Sequence, residues 1–529
     1  MIQKDFTNSP DPRHRRDGSL CHYHSLAVAL LVSKMCSHRE NVVLRPAKET
    51  QMNAAKLLYG FILLVGFSST EPPGGQAGKE LLMQGDQLAD QAKYTEALLK
   101  YKLGYEKILP DLRGLNFKEP VAPQFMERTD LQQHMKKLLK EDMTEHEIEL
   151  SDASLKVFGF VQPDFKTEDT LLQLYSEEVA GFYDPKRKQM VLIKETEAPK
   201  PQKPGLLARL LGAKTGFDKD EQKSTLSHEM AHALADQHFD LLKLQEAAEK
   251  DDDRALALQA LVEGEAMLVM MADMERAGGG TGAGILRASP AAMDFSFRLM
   301  QGILPFASGK AFRSAPPIFR ETMMFGYLKG MVFLLHLTNE SEWKRVNQAF
   351  REPPLSTEQI LHPEKFLKEL DEPTEIELPP LGDVLGADWK EVGQNVLGEL
   401  QISVMLRKQW GARAAAGWDG DRFAVFSGPN DKLALVWYTT WDSEADAKEF
   451  AGAYSRYAAT RIGLADASAG SAGQPEPPTI ADRLMIEKGG RGYLIHRQGS
   501  DVVIIEGLSE KAIDAVSAVA FKAEKKVKK

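Results

Sequence analysis

Apolar residues recur at three- and four-residue spacing over long stretches of this chain, which predicts a mostly helical protein. Glu80–Gln91 and Tyr94–Ile108 read as two helices joined at Ala92-Lys93. Further helices are expected at Leu171–Val179, Lys219–Leu242, Arg254–Ala277, Phe295–Leu304 and Arg320–Leu337. Alternating patterns predict a strand at Leu155–Val161 and a hairpin over Ala180–Ile193 whose turn starts at Asp184-Pro185. Lys200–Pro204 reads as a loop and Gly278–Gly284 as a flexible connector or surface flap. After residue 408 the pattern changes. Phe423–Phe426 and Leu433–Thr439 read as paired strands before a helix at Ser443–Ile462, and the Ser/Gly/Pro-rich Ala465–Thr479 interrupts. Gly492–Arg497 and Asp501–Glu506 pair before a last helix from Ser509, which suggests two strand-strand-helix copies.

These elements imply an α+β chain in four parts: an N-terminal extension with a signal-like or anchor segment (1–70), a helical hairpin (71–114), a mostly helical body (115–407) and a small α+β domain (408–529). The hairpin is similar to one tetratricopeptide unit in its Gly85-Asp86, Ala89, Ala92, Tyr94, Glu96-Ala97-Leu98 and Tyr101. No second copy follows at a 34-residue period. A docked hairpin is therefore expected rather than a solenoid.

Composition is that of a globular protein, 43% hydrophobic and 27% charged, with a formal charge of -10 that argues against nucleic-acid binding. Met52-Asn-Ala-Ala-Lys56 followed by the apolar run Leu57–Phe67 has the layout of a secretory signal, with an uncleaved membrane anchor through 57–67 as the alternative. This makes Met52 the expected natural start and the protein extracytoplasmic: periplasmic, secreted or membrane-anchored. Beyond residue 70 the balance is 57 Lys/Arg against 71 Asp/Glu, net -14, and neither Cys21 nor Cys36 remains. A metal site in that chain must use His and carboxylate ligands.

His228-Glu229-Met230-Ala231-His232 supplies such a site. Residues i and i+4 of a helix share a face, so both imidazoles can reach one metal ion, with zinc the best fit. Glu229 projects beside them as a candidate general base. A third ligand is needed, and Glu263 on the next helix is the first choice, with Glu265 the fallback because i and i+2 point to different sides. Gly264 makes sense there if backbone must approach closely. Asp236 is a candidate support for a ligand histidine, whereas His238 lies off the ligand face.

HExxH on one helix and Leu261-Val262-Glu263-Gly264-Glu265-Ala266 on a second resemble the gluzincin metallopeptidases, a group that includes thermolysin-like enzymes and zinc aminopeptidases. Ala180-Gly-Phe-Tyr-Asp-Pro185, His232-Ala-Leu-Ala-Asp-Gln-His238, Ser356-Thr-Glu-Gln-Ile-Leu-His-Pro363 and Trp441-Asp442 resemble an exported bacterial peptidase MA-like family. The resemblance implies a zincin-like core, a Zn(2+) cofactor, His228, His232 and Glu263 as ligands and Glu229 as base. It implies hydrolysis of a peptide or protein substrate, and the missing GxMEN exopeptidase motif leans it toward an endopeptidase. It also implies a substrate-pairing edge strand, for which Gln189–Ile193 is the candidate, and a transition-state donor, for which Tyr327 and His362 are candidates. The rival expectation is a non-catalytic extracytoplasmic binding protein whose metal is structural. No other cofactor-binding motif is present, and oligomeric state is not legible.

Overall fold

The computed structural model describes residues 73–176, 181–194, 217–301, 310–368, 370–464 and 476–526. The signal-like segment, both cysteines, the Lys200–Pro204 loop and most of Ala465–Thr479 lie outside them. The architecture is mixed α+β.

Two helices open the described chain, α1 (Pro73–Asp90) and α2 (Tyr94–Arg113). They cross closely, because a Cβ on Gly85 would stand 2.4 Å from the Tyr101 ring and one on Gly78 2.5 Å from Ile108. Tyr101, Tyr105 and Ile108 of α2 are buried in the same apolar core as the helices of the body. The hairpin is thus docked on the helical body and shares its core.

Next come β1 (Ala122–Glu127), α3 (Leu131–Asp142), α4 (Glu145–Val157), α5 (Thr167–Ser176), β2 (Gly181–Asp184) and β3 (Gln189–Lys194). The expected strand at Leu155–Val161 is not formed. Thr144 and Glu147 make a reciprocal capping box that starts α4, and the helix carries Leu155 to Val157 before Gly159 (φ 77°) turns the chain. The sheet order is β1-β3-β2, with β1 parallel and β2 antiparallel to β3. Gln189–Ile193 is therefore the central strand and cannot be a substrate-pairing edge. Its unbroken run Met190–Ile193 is fully buried, as suits a strand covered on both faces. The edges are β1, where Pro123 is tolerated, and β2.

The body continues with α6 (Lys219–Phe239), α7 (Leu241–Ala248), α8 (Asp252–Ala277), α9 (Pro290–Gln301) and α10 (Pro317–Met324). A π-helical turn over Phe325–Lys329 then leads into α11 (Gly330–Ser341). Asp218, Asp240 and Asp251 cap α6, α7 and α8 through their carboxylates. The helix α8 is long and apolar enough to cross a membrane (mean hydropathy 1.5), yet 94% of that stretch is buried in protein. It is the axis of the core. Gly278–Gly284 folds against it, with Glu275 accepting from the Ile285 amide. It forms a turn beneath the helix end.

In the C-terminal part six strands form one sheet: β4 (Lys390–Asn395), β5 (Trp418–Gly428), β6 (Lys432–Trp441), β7 (Arg483–Lys488), β8 (Arg491–Gln498) and β9 (Asp501–Leu508). Their order is β4-β5-β6-β9-β8-β7, every neighbouring pair antiparallel. Each expected pair thus gains a third strand, and the sheet recruits residues on the N-terminal side of 408. Glu444–Arg461 covers one face and Glu510–Ala520 the other, so the repeat is confined to the strands.

Asp253, 1% exposed in the first turn of α8, accepts from the amide and hydroxyl of Thr357. Burial, then the nearby Asp251, push its carboxyl well above the usual range. A group raised on folding favours the protonated native state, so stability falls as pH rises from about 4 toward the folded value. Asp253→Asn should therefore lessen the fall in urea midpoint between pH 4 and 7; an unchanged slope would show that Asp253 does not titrate in this way.

Candidate metal centre

Thirteen consecutive residues of α6, Ser224–Asp236, are buried, so the HExxH segment sits in the interior. His228 Nε2 is 3.0 Å from His232 Nε2 and 3.2 Å from Glu263 Oε2, and the second imidazole is 3.6 Å from the same oxygen. Such spacings suit a tetrahedral zinc: bonds of about 2.0–2.1 Å imply ligand atoms about 3.3 Å apart. The donor set therefore fits a metal. Both Nδ1 atoms are buried without a hydrogen-bond partner. Burial works against a charged His232, but the surrounding carboxylates, Glu263 first and then Glu229 and Glu265, together raise the imidazole to about 9. Glu263 is itself held below the usual carboxylate range by the two histidines despite its burial.

Glu229 brings a carboxylate oxygen within 4.8 Å of a ring nitrogen of each histidine. Its Oε2 accepts from the Tyr183 backbone amide at 3.0 Å, so strand β2 holds the candidate base. Burial raises its pKa above the usual carboxylate value, with His232 and His228 opposing. A cleft of about 50 Å³ reaches Glu229 and His232 between Phe182, Leu138, Leu241 and Val262.

The other expected residues divide. Glu265 turns the opposite way from Glu263 and forms a fully buried ion pair with Arg113 at 2.5 Å, which removes it as a ligand alternative. Arg113 also stacks over Trp343 at 4.4 Å. Asp236 accepts from the Tyr183 hydroxyl (2.7 Å), Lys188 (3.2 Å) and the Leu241 amide (2.9 Å). It thus holds the β2–β3 hairpin to α6, and neither ligand histidine is among these partners. His238 binds the Asn116 carbonyl at 2.8 Å. Tyr327 is fully buried in the π turn with its ring stacked on His228 at 5.8 Å and 21°. His362 instead bonds Glu399 at 3.0 Å, beside a cluster in which Lys365 joins Glu358, Asp371 and Asp442. Of these residues Tyr327 packs on His228, and the others are committed to partners elsewhere. Tyr183 and Arg113 escape sequence reasoning, since one acts through its amide and the other reaches across 152 positions.

The close approach anticipated at Gly264 is a helix crossing. A Cβ there would stand 2.3 Å from the carbonyl carbon of Gly330, and one on Gly330 would stand 2.0 Å from the Ala260 oxygen. Contact of backbone on backbone sets α8 against the π turn and start of α11, and so places Tyr327 and Glu263 over the histidines.

Residues 385–517 match a domain of unknown function, DUF8575. No curated protein and no solved structure matches the chain. The DUF8575 stretch covers all six strands of the C-terminal sheet and none of His228, Glu229, His232 and Glu263.

Substitutions on α8 test both the crossing and the ligand set. Gly264→Ala should destabilise the protein by about 3 kcal/mol or more, an overpacking cost, as read by denaturant unfolding; a change under about 1 kcal/mol would contradict the crossing. Glu263→Gln should lower zinc affinity at least tenfold in competition with a chelator, whereas Glu265→Gln should act on stability and leave zinc affinity within a few-fold. Equal zinc loss in both would overturn the ligand choice.

Proposed function

We propose that the protein is a zinc-dependent peptidase of gluzincin type with a zincin-like core, acting outside the cytoplasm on a peptide or protein substrate, as an endopeptidase. The observation that carries this reading is the convergence of His228, His232 and Glu263 within 3.6 Å, with Glu229 beside them at the end of an open cleft. His228, His232 and Glu263 would hold the metal. Zinc, when bound there, supplies a Lewis acid that polarises the scissile carbonyl and eases deprotonation of water.

The chain's own residues do the rest. Glu229, with a pKa raised by burial, takes the proton of the attacking water and delivers it to the leaving amine. The Tyr183 amide fixes the carboxylate that performs both transfers. Asp236 keeps Tyr183 in place by binding its hydroxyl. Tyr327, against His228, is the candidate donor to the developing oxyanion. Strand β2 flanks the cleft as a short sheet edge whose Tyr183 amide is committed to Glu229. Phe182, Leu138 and Val262 would favour an apolar side chain in the cleft.

The open cleft favours this over a structural metal in a binding protein, because structural zinc sites are closed by four protein ligands. Glu229→Gln should keep zinc at one per chain and lower turnover of a peptide library by about 10²–10⁴-fold. Full activity in that variant would reject the mechanism, and absence of metal-dependent cleavage by the wild type would return the binding-protein reading.

A further inference from the structure

A second cavity, larger than the cleft, lies where the helical body meets the C-terminal sheet. It has a volume of about 140 Å³ and shares no lining residue with the cleft at Glu229. It is enclosed by α4, the first turns of α8, α10, and Asn395–Leu397 with Phe423 from the sheet, so an occupant must be small. Leu256, Phe160 and Phe319 are among its apolar walls. A pocket between two structural units, apolar with a few polar groups, has the general form of a small-molecule site.

The charge on its walls is of one sign. Glu147 of α4, Glu249 after α7 and Asp252 of α8 line the space, each only half-buried, and among the described residues no Lys, Arg or His does. The start of α8 accounts for its neighbouring acid by capping, since Asp251 accepts from the Arg254 amide at 3.0 Å. Asp252 instead gives its amide to the Asn395 side chain at 3.0 Å and lines the cavity. Burial, then Asp251 and Glu147, raise its carboxyl to about 7, with Asn395 and Arg422 opposing. Those groups face it from α8, α4 and the sheet, while α10 brings the uncharged Thr322 to the cavity. A cation in the cavity would relieve the repulsion among the carboxylates, and an anion would add to it.

Size, apolarity and charge together define a ligand. A cavity of about 150 Å³ takes a benzene-sized group. Aromatic faces attract ammonium ions, and Phe160 and Phe319 line the same space as the carboxylates. We propose that this cavity binds a free organic ammonium of about phenyl size, its apolar body against Leu256, Phe160 and Phe319 and its charged nitrogen toward Asp252, Glu147 and Glu249. The three carboxylates select the charge. Enclosure between the helical body and the sheet selects a free molecule over the side chain of a folded partner. Binding here is independent of the peptidase reading.

Calorimetric titration of the full chain with benzylamine at about pH 8 tests it, with benzyl alcohol and benzoate as neutral and anionic counterparts. Benzylamine should saturate, and the alcohol and benzoate should each bind at least tenfold more weakly. Affinity for benzylamine should fall at least fivefold between about pH 8 and pH 5.5, as Asp252 takes up a proton. Asp252→Asn should weaken benzylamine at least fivefold and flatten that pH dependence. Glu147→Gln, which preserves the capping-box pattern of α4, should weaken it at least threefold; if Asp252→Asn does not fold, Glu147→Gln decides. Binding should persist in Glu229→Gln and Glu263→Gln, which separates this site from the metal centre and from any failure of the catalytic reading. No saturation by benzylamine, equal binding of benzyl alcohol, an unchanged Asp252→Asn, or loss of binding in Glu263→Gln would overturn the proposal. Acetyl-lysine amide binding more tightly than benzylamine would also overturn it, in favour of a peptide lysine as the occupant.

Discussion

Backbone contact between Gly264 and Gly330 is the constraint on which the centre of this molecule depends. Side chains larger than hydrogen at either position would hold the two helices apart, since added Cβ atoms would lie 2.3 Å and 2.0 Å from opposing backbone. Glycine in a helix interior costs roughly 1 kcal/mol relative to alanine, and here that cost is offset by the depth of packing it permits. Because α8 lies so close to α11, Glu263 one residue earlier reaches both imidazoles, and Tyr327 three residues before Gly330 covers His228. The π turn at Phe325–Lys329 is the local adjustment that accompanies this crossing.

Electrostatics reinforces the geometry. One buried carboxylate faces two imidazoles, and its neighbour two positions on faces a buried guanidinium. Alternate carboxylates of α8 are thus committed to different partners, with the N-terminal hairpin supplying one of them. Breaking a buried pair leaves an uncompensated charge, which couples the hairpin to the helix carrying Glu263. Strand β2 completes the arrangement by giving its Tyr183 amide to Glu229.

Much of this arrangement is legible in residue spacing. The i, i+4 histidines define a shared helix face, and Asp184-Pro185 marks the turn of the β2–β3 hairpin. Glu263 and Glu265 are separable from sequence only as alternatives, because the partner that claims Glu265 is Arg113, remote in the chain. Leu155–Val161 reads as a strand from alternation, although Thr144 and Glu147 already carry the capping-box spacing that starts a helix. Met190–Ile193 misleads in another way: an unbroken apolar run belongs to a covered central strand, flanked by β1 and β2. The role of Tyr183 leaves no side-chain signal, since its amide makes the contact with Glu229.

X-ray absorption at the zinc edge of the loaded protein is the decisive measurement for the assigned ligand set. Nitrogen and oxygen scatterers alone are expected at about 2.0–2.2 Å, with the outer-shell signature of two imidazoles, one carboxylate oxygen and one non-protein oxygen. A sulfur scatterer, a single imidazole, or four protein ligands closing the coordination sphere would contradict it.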